Sequence, residues 1–81
     1  MSILEAELHA QAQNVKCTAA TLYVELLDGR TISVPLNWFP RLAQAKEEQL
    51  GNWELLGDGE GIHWPDLNED LSVAGLLAGR H

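Results

Sequence analysis

Residues 21–36 read TLYVELLDGRTISVPL, two runs of alternating apolar and polar side chains on either side of Asp28-Gly29. Leu22, Val24 and Leu26 alternate with Tyr23 and Glu25; Ile32, Val34 and Leu36 alternate with Thr31, Ser33 and Pro35. Period-two runs joined by Asp-Gly form a β-hairpin. Parity then selects the turn. A two-residue loop would pair Leu27 with Arg30 and set Val24 opposite Ser33, mixing apolar and polar rows on each face. A three-residue loop with Gly29 left-handed in a bulge sets Val24 opposite Ile32 and Leu22 opposite Val34. Both apolar rows then share one face, so the bulged hairpin is the prediction.

Downstream, Pro35 belongs near a strand end or on an edge. Asn37 is a good N-cap, and Trp38, Phe39 and Pro40 fit the first helical turn, where a missing N–H does no harm. The helix is expected to continue through Arg41–Ala45 to Leu50, with Gly51 as its stop. Residues 53–56 read as a strand, 57–61 (GDGEG) as a tight loop, and Ile62-His63-Trp64 as a short return strand. Ser72 caps a last helix from Val73 to Ala78, with Glu69 and Asp70 just before it, where the helix dipole favours negative charge. Upstream, Ser2-Ile3-Leu4-Glu5 fits a capping box, with Leu4 and Leu8 on one helical face. Residues 14–18 suit a short strand with Val15 and Cys17 inward, and the pattern over residues 1–11 does not set where one element yields to the other. The expected fold is α+β in one domain over residues 1–81. A small antiparallel sheet of three to five short strands is built on the hairpin, with a helix after it and a C-terminal helix packed on one face.

The chain has 81 residues, of which 46% are hydrophobic. A domain this size buries roughly 60–65% of its unfolded surface and loses on the order of 120 kcal/mol in ordering, so a homodimer or a permanent partner is expected. One cysteine, Cys17, rules out an internal disulfide. With no signal peptide and no apolar run near membrane-spanning length, the expectation is a cytoplasmic protein without a membrane role. The net charge of −7 opposes direct nucleic-acid binding, which needs lysine and arginine to displace counterions. Between Glu47 and Asp70 lie eight acids and no lysine or arginine.

That acidic stretch contains GIHWPDLNED (61–70), where His63, Asp66, Glu69 and Asp70 form a candidate ligand cluster for a hard divalent cation. The spacing matches no cation-binding loop, and one histidine without a cysteine pair is a poor zinc set, so no metal and no cofactor are expected. The favoured reading is structural: the carboxylates cap turns and the last helix, and His63 pairs with a nearby carboxylate. No G-x-S-x-G or P-loop pattern is present, and the chain is expected not to be an enzyme. Trp38, Trp53 and Trp64 each lie near the end of an element. Core is the first reading for each, and interface anchoring the second. Trp38-Phe39 and Trp64-Pro65 are the interface candidates, with Arg41 and Arg30 as polar contacts.

Three phrases together carry a resemblance: DGRTISVPLNWFPRL (28–42), NWELLGDGEGIHWPDLNEDLSV (52–73) and GLLAGR (75–80). Over about residues 12–80 the chain resembles the bacterial small-protein family known as domain of unknown function 2442. The resemblance implies a small α+β fold. It also implies a setting beside a second small protein in toxin–antitoxin-like gene pairs, sometimes with an appended DNA-binding helix-turn-helix, and it supplies no catalytic residues. Two departures matter. Where the family has Thr-Pro-Glu-Glu after the first helix, this chain has Lys46-Glu47-Glu48-Gln49, which predicts a continuous helix. The chain ends at His81, so no helix-turn-helix is expected.

The functional expectation is therefore a non-enzymatic protein-interaction module. It would act as an antitoxin-like acidic partner of a small basic protein, or self-associate. The alternative is a ligand- or divalent-cation-binding regulatory domain.

Overall fold

The structure, a computed structural model, describes residues 10–79; the capping box at Ser2–Glu5 and the Leu4/Leu8 face lie outside them. Strand β2 (Thr21–Leu26) pairs antiparallel with β3 (Thr31–Pro35), Val24 opposite Ile32 and Leu22 opposite Val34. The Leu26 N–H donates to the Arg30 carbonyl (2.8 Å) and the Gly29 N–H to the Leu26 carbonyl (3.1 Å), closing a three-residue loop. Gly29 sits at φ 96°, a conformation that other residues adopt only with strain. The bulged register required by parity is the one observed. Strand β1 (Ala12–Cys17) adds to the other side of β2, giving the order β1-β2-β3. A bulge between Ala12 and Asn14 turns Ala12 and Val15, three positions apart, both into the core. Cys17 is only half-buried.

The helical stretch after the hairpin differs from expectation. The chain leaves β3 through a 3-10 turn at Leu36–Trp38 and forms α1 (Pro40–Ala43). It then breaks, and resumes as α2 (Glu47–Gly51). Asn37 lies inside the 3-10 turn and caps nothing, and the continuous helix to Leu50 is not formed. Two contacts account for the break. Lys46 is extended (ψ 158°), and its N–H donates to Gln49 Oε1 at 3.0 Å, so Gln49 fastens the start of α2 without a threonine cap. The other contact holds the far end. Trp64, 0% exposed, donates its indole Nε1–H to the Leu50 carbonyl at 3.1 Å. A buried indole N–H needs an acceptor, and the last turn of a helix has carbonyls without intrahelical partners.

The remaining strands form a second sheet rather than extending the first. Strands β4 (Glu54–Leu56), β5 (Gly61–Trp64) and β6 (Glu69–Ser72) stand in the order β4-β5-β6. The sequence pattern predicts no strand at β6. Glu69 and Asp70 do not cap the last helix; they belong to β6, opposite Trp64 and His63. The reversal comes at Asn68, whose φ of 49° is a turn conformation that asparagine tolerates better than most residues. It brings Leu71 back opposite Ile62, and packing against a cross-strand neighbour outweighs intrinsic strand propensity. Helix α3 (Val73–Leu77) follows directly, with the Ser72 Oγ accepting the Gly75 N–H at 2.8 Å, the cap expected from the sequence.

The GDGEG loop joins the two sheets. The Ala12 N–H donates to the Gly59 carbonyl (2.6 Å) and Gln11 Nε2 to the Asp58 carbonyl (2.8 Å), while the Glu60 carbonyl accepts the Val73 N–H (2.9 Å) and so extends the β5–β6 ladder. At Gly59 the backbone is at φ 94°, and a Cβ there would strike the Ala12 carbonyl oxygen. One core runs through both sheets, with Leu22, Val24 and Leu26 from the first, Ile62 and Trp64 from the second, and Leu42, Val73 and Leu76 from the helices. Among the described residues no helix is long and apolar enough to cross a membrane.

Candidate functional site

Strand alternation divides β5 between two environments. Ile62 and Trp64 face inward at 0% exposure, while His63 points to the outer face. The Val73 N–H to Glu60 carbonyl bond sets the phase of the ladder, so pairs 71/62 and 69/64 exchange backbone hydrogen bonds and the pair 70/63 does not. Side chains of non-hydrogen-bonded pairs approach most closely. His63 Nδ1 accordingly donates to Asp70 Oδ1 across the strands. Glu54 lies opposite His63 on the other side, so an imidazole stands between two carboxylate-bearing positions.

The predicted ligand cluster does not assemble. Asp66 lies in the β5–β6 turn, where its Oδ2 accepts from Asn52 Nδ2 at 3.0 Å. Glu69, opposite Trp64, is on the other face of β6 from Asp70. Of the four candidates, only His63 and Asp70 meet, which is the structural pairing expected for His63. Among the described residues no group of three or more His, Cys, Asp or Glu is placed to hold a metal ion. Burial pushes the Cys17 thiol up from its ordinary value, which lowers its thiolate fraction and its reactivity.

The arginine candidates are engaged within the fold. Arg30 Nε donates to Asp28 Oδ2 at 2.9 Å, and its backbone N–H to Asp28 Oδ1 at 3.0 Å. This backbone bond, with the guanidinium beside it, holds the Asp28 carboxyl below its usual value. Arg41 Nη1 donates to the Asn68 carbonyl at 2.7 Å and so ties α1 to the β5–β6 turn. Trp64 offers no surface, which removes it from the interface candidates, while Pro65 beside it is exposed.

Trp38 and Phe39 are placed differently. With Pro40 they form one wall of a groove of about 460 Å³, whose other wall is β6 and whose floor is Gly75 and Leu76 of α3. Trp38 is half-buried and Phe39 is buried at 6% exposure. The groove carries two carboxylates, Glu69 and Asp70, and no lysine or arginine lines it. Its wall along β6 has no counterpart in the sequence pattern, which makes residues 69–72 the approach to a helix. The clue was Leu71, placed to face Ile62 if the chain turned back at Asn68.

Two solved structures are similar to this chain over most of its length. A crystal structure of a protein of unknown function from Rhodospirillum rubrum matches with a TM-score of 0.75 and 35% identity, covering 89% of each chain. A solution NMR structure of an uncharacterized protein from Chromobacterium violaceum matches with a TM-score of 0.76 and 24% identity, covering 95% of this chain and 72% of that one. The second likeness is one of fold. No curated protein matches the chain. The family described as "Protein of unknown function (DUF2442)" matches residues 12–81, nearly all of the described fold, and the chain belongs to it.

Proposed function

We propose that the protein is a non-enzymatic interaction module, the antitoxin-like acidic partner of a small basic protein encoded beside it in the cytoplasm. The observation that carries this reading is the groove of Trp38, Phe39 and β6, a concavity of mixed polar and apolar surface whose lining includes Glu69 and Asp70 and no lysine or arginine. Tryptophan and other aromatic anchors contribute most where a partner fully desolvates them, and rim charges chiefly steer the encounter. The eight acids between Glu47 and Asp70 supply such a field. The partner would be held, and its own working surface occluded, by apolar burial in the groove and attraction around it.

Co-expression with the product of the neighbouring gene is the direct test. A complex is expected that weakens with ionic strength, and Glu69→Lys should loosen it about tenfold or more through like-charge repulsion. No complex, with no effect of deleting either gene on the toxicity of the other, would remove the reading.

The second reading, a ligand- or divalent-cation-binding regulatory domain, has only the His63–Asp70 pair behind it, since no group of three such side chains among the described residues is placed to hold a metal ion. A cation bound only by the folded state raises the unfolding midpoint as its concentration increases. Under the interaction reading the midpoint stays flat across Mg²⁺, Ca²⁺, Mn²⁺ and Zn²⁺.

A further inference from the structure

We infer that the groove takes an extended basic segment of the partner, which adds as a fourth strand to the outer edge of β6. This rests on the interaction reading above and gives it a binding mode. Strand β6 pairs with β5 on one side and is the edge of its sheet among the described residues. Successive strand residues point to opposite faces, so a groove lying on one face would touch alternate residues. This groove is lined by Glu69, Asp70, Leu71 and Ser72 without a gap, and therefore runs along the edge.

The phase of the ladder says which backbone groups are offered. Because Val73 N–H donates to Glu60, positions 69 and 71 and the Val73 N–H turn toward β5, while Asp70 turns its N–H and C=O, and Ser72 its N–H, toward the groove; the Ser72 carbonyl, at the N-cap of α3, accepts the first bond of that helix. The next position in the outward series, Asn68, already accepts a donor from that side in the Arg41 guanidinium. Four strand residues span about 13 Å, room for a segment of four or five residues. The other sheet edges are less open. The first N–H of β1 is taken by Gly59, β3 ends in Pro35, and β4 has three residues.

Charge selects the occupant. An added strand places alternate side chains over the row of Asp70 and Ser72 and over the row of Glu69 and Leu71. Lysine or arginine suits the first row, and an apolar residue can pack on Leu71 and Leu76 from the second. A second copy of β6 would bring Glu69 and Asp70 of two chains together, and like charges across strands are destabilising. The mode is main-chain pairing with pockets for alternate side chains, as in other cases of strand addition.

The test is an NMR titration of the ¹⁵N-labelled protein with the capped pentapeptide Lys-Val-Lys-Val-Lys. Its Glu-Val-Glu-Val-Glu counterpart and two N-methylated isomers, one methylated at both valines and one at two lysines, complete the set. The expected result is shifts centred on the amides of Asp70 and Ser72, with slowed exchange there. The glutamate peptide should bind about tenfold more weakly or worse. One N-methyl isomer should lose binding while the other keeps it, because only alternate N–H groups of an added strand face β6. Equal binding by both isomers, shifts centred elsewhere, or no binding would overturn the inference. In the complex with the neighbouring gene product, unprotected Asp70 and Ser72 amides would overturn strand addition and leave the interaction reading standing. Absence of any complex would remove both.

Discussion

The two three-stranded sheets reach the same architecture by different means. In β1–β3 the strands specify themselves. Leu22, Val24 and Leu26 are 1% exposed or less, and Val34 and Val15 complete the face on either side. In β4–β6 the last strand holds only Leu71 between polar neighbours, and no single-strand propensity would place it in a sheet. Beyond its ladder with β5, it is held at its two ends, by Arg41 to the Asn68 carbonyl and by Val73 to the Glu60 carbonyl, while Trp64 pins β5 to Leu50. A distributed apolar row tolerates local loss. A sheet pinned at a few points does not.

The sharpest way to break this contrast is at Trp64. Trp64→Ala should cost about 3–5 kcal/mol in urea unfolding, a large share of the stability of a domain this size. Trp64→Phe keeps most of the volume but leaves the Leu50 carbonyl without its donor, at about 1–3 kcal/mol. In native-state hydrogen exchange, Trp64→Phe should speed the amides of β5 and β6 while those of β2 and β3 keep their protection. Equal loss of protection in both sheets would mean that they open as one unit, and the contrast would be wrong.

A second pair of variants probes the joint. Gly57 and Gly59 both have positive φ, 59° and 94°, yet only Gly59 faces Ala12 at close range. Gly57→Ala meets nothing within 4 Å and should cost about 1 kcal/mol for the left-handed backbone. Gly59→Ala adds a backbone clash and should cost about 2 kcal/mol or more. Similar costs would show that the loop moves off β1 easily and that the sheets are less firmly joined than the Ala12–Gly59 bond implies. Smaller still, Ser72→Ala removes the α3 cap and should cost about 1 kcal/mol, measured by the same unfolding.

Legibility followed the same division. The hairpin could be read in full because turn chemistry and side-chain parity point to one register, and Asp28-Gly29 can satisfy it in only one way. The Ser72 cap and the strands around Trp53 and Ile62 were equally local. Strand β6 was not, since its pairing depends on where Asn68 returns the chain, and its acids fit a helix start equally well. The break before α2 was hidden for a related reason. Gln49 fastens Lys46 from within the helix, a substitute for the threonine cap that only the folded geometry reveals. At the candidate site, the sequence offers Trp38-Phe39 and Trp64-Pro65 alike as interface candidates; the fold places Trp38 and Phe39 along a groove and Trp64 in the core, a difference that sequence does not show. All three follow a polar or amide-bearing neighbourhood at an element end, and only strand parity in the finished sheet turns Trp64 inward.

The smallest expected effect tests the self-specified sheet at its turn. The Asp28 carboxylate accepts the Arg30 N–H and pairs with its guanidinium, and both interactions hold its ionised form below the usual carboxyl value. A carboxyl with a depressed folded value lends stability that is complete above its unfolded value, near pH 4, and is lost as pH falls through the lower folded one. The stability gap between the protein and Asp28→Asn should therefore be constant around neutral pH and close in acid, read as converging urea midpoints between about pH 5 and pH 2. Asparagine can still accept the backbone N–H, so the gap reports the charge. Raising salt to about 1 M should shrink it further, because the pair is exposed and screened. A gap that persists undiminished at the acid end would show that residue 28 acts through turn geometry alone. The hairpin would then owe its register to Gly29 and the two apolar rows, with no help from the charge beside them.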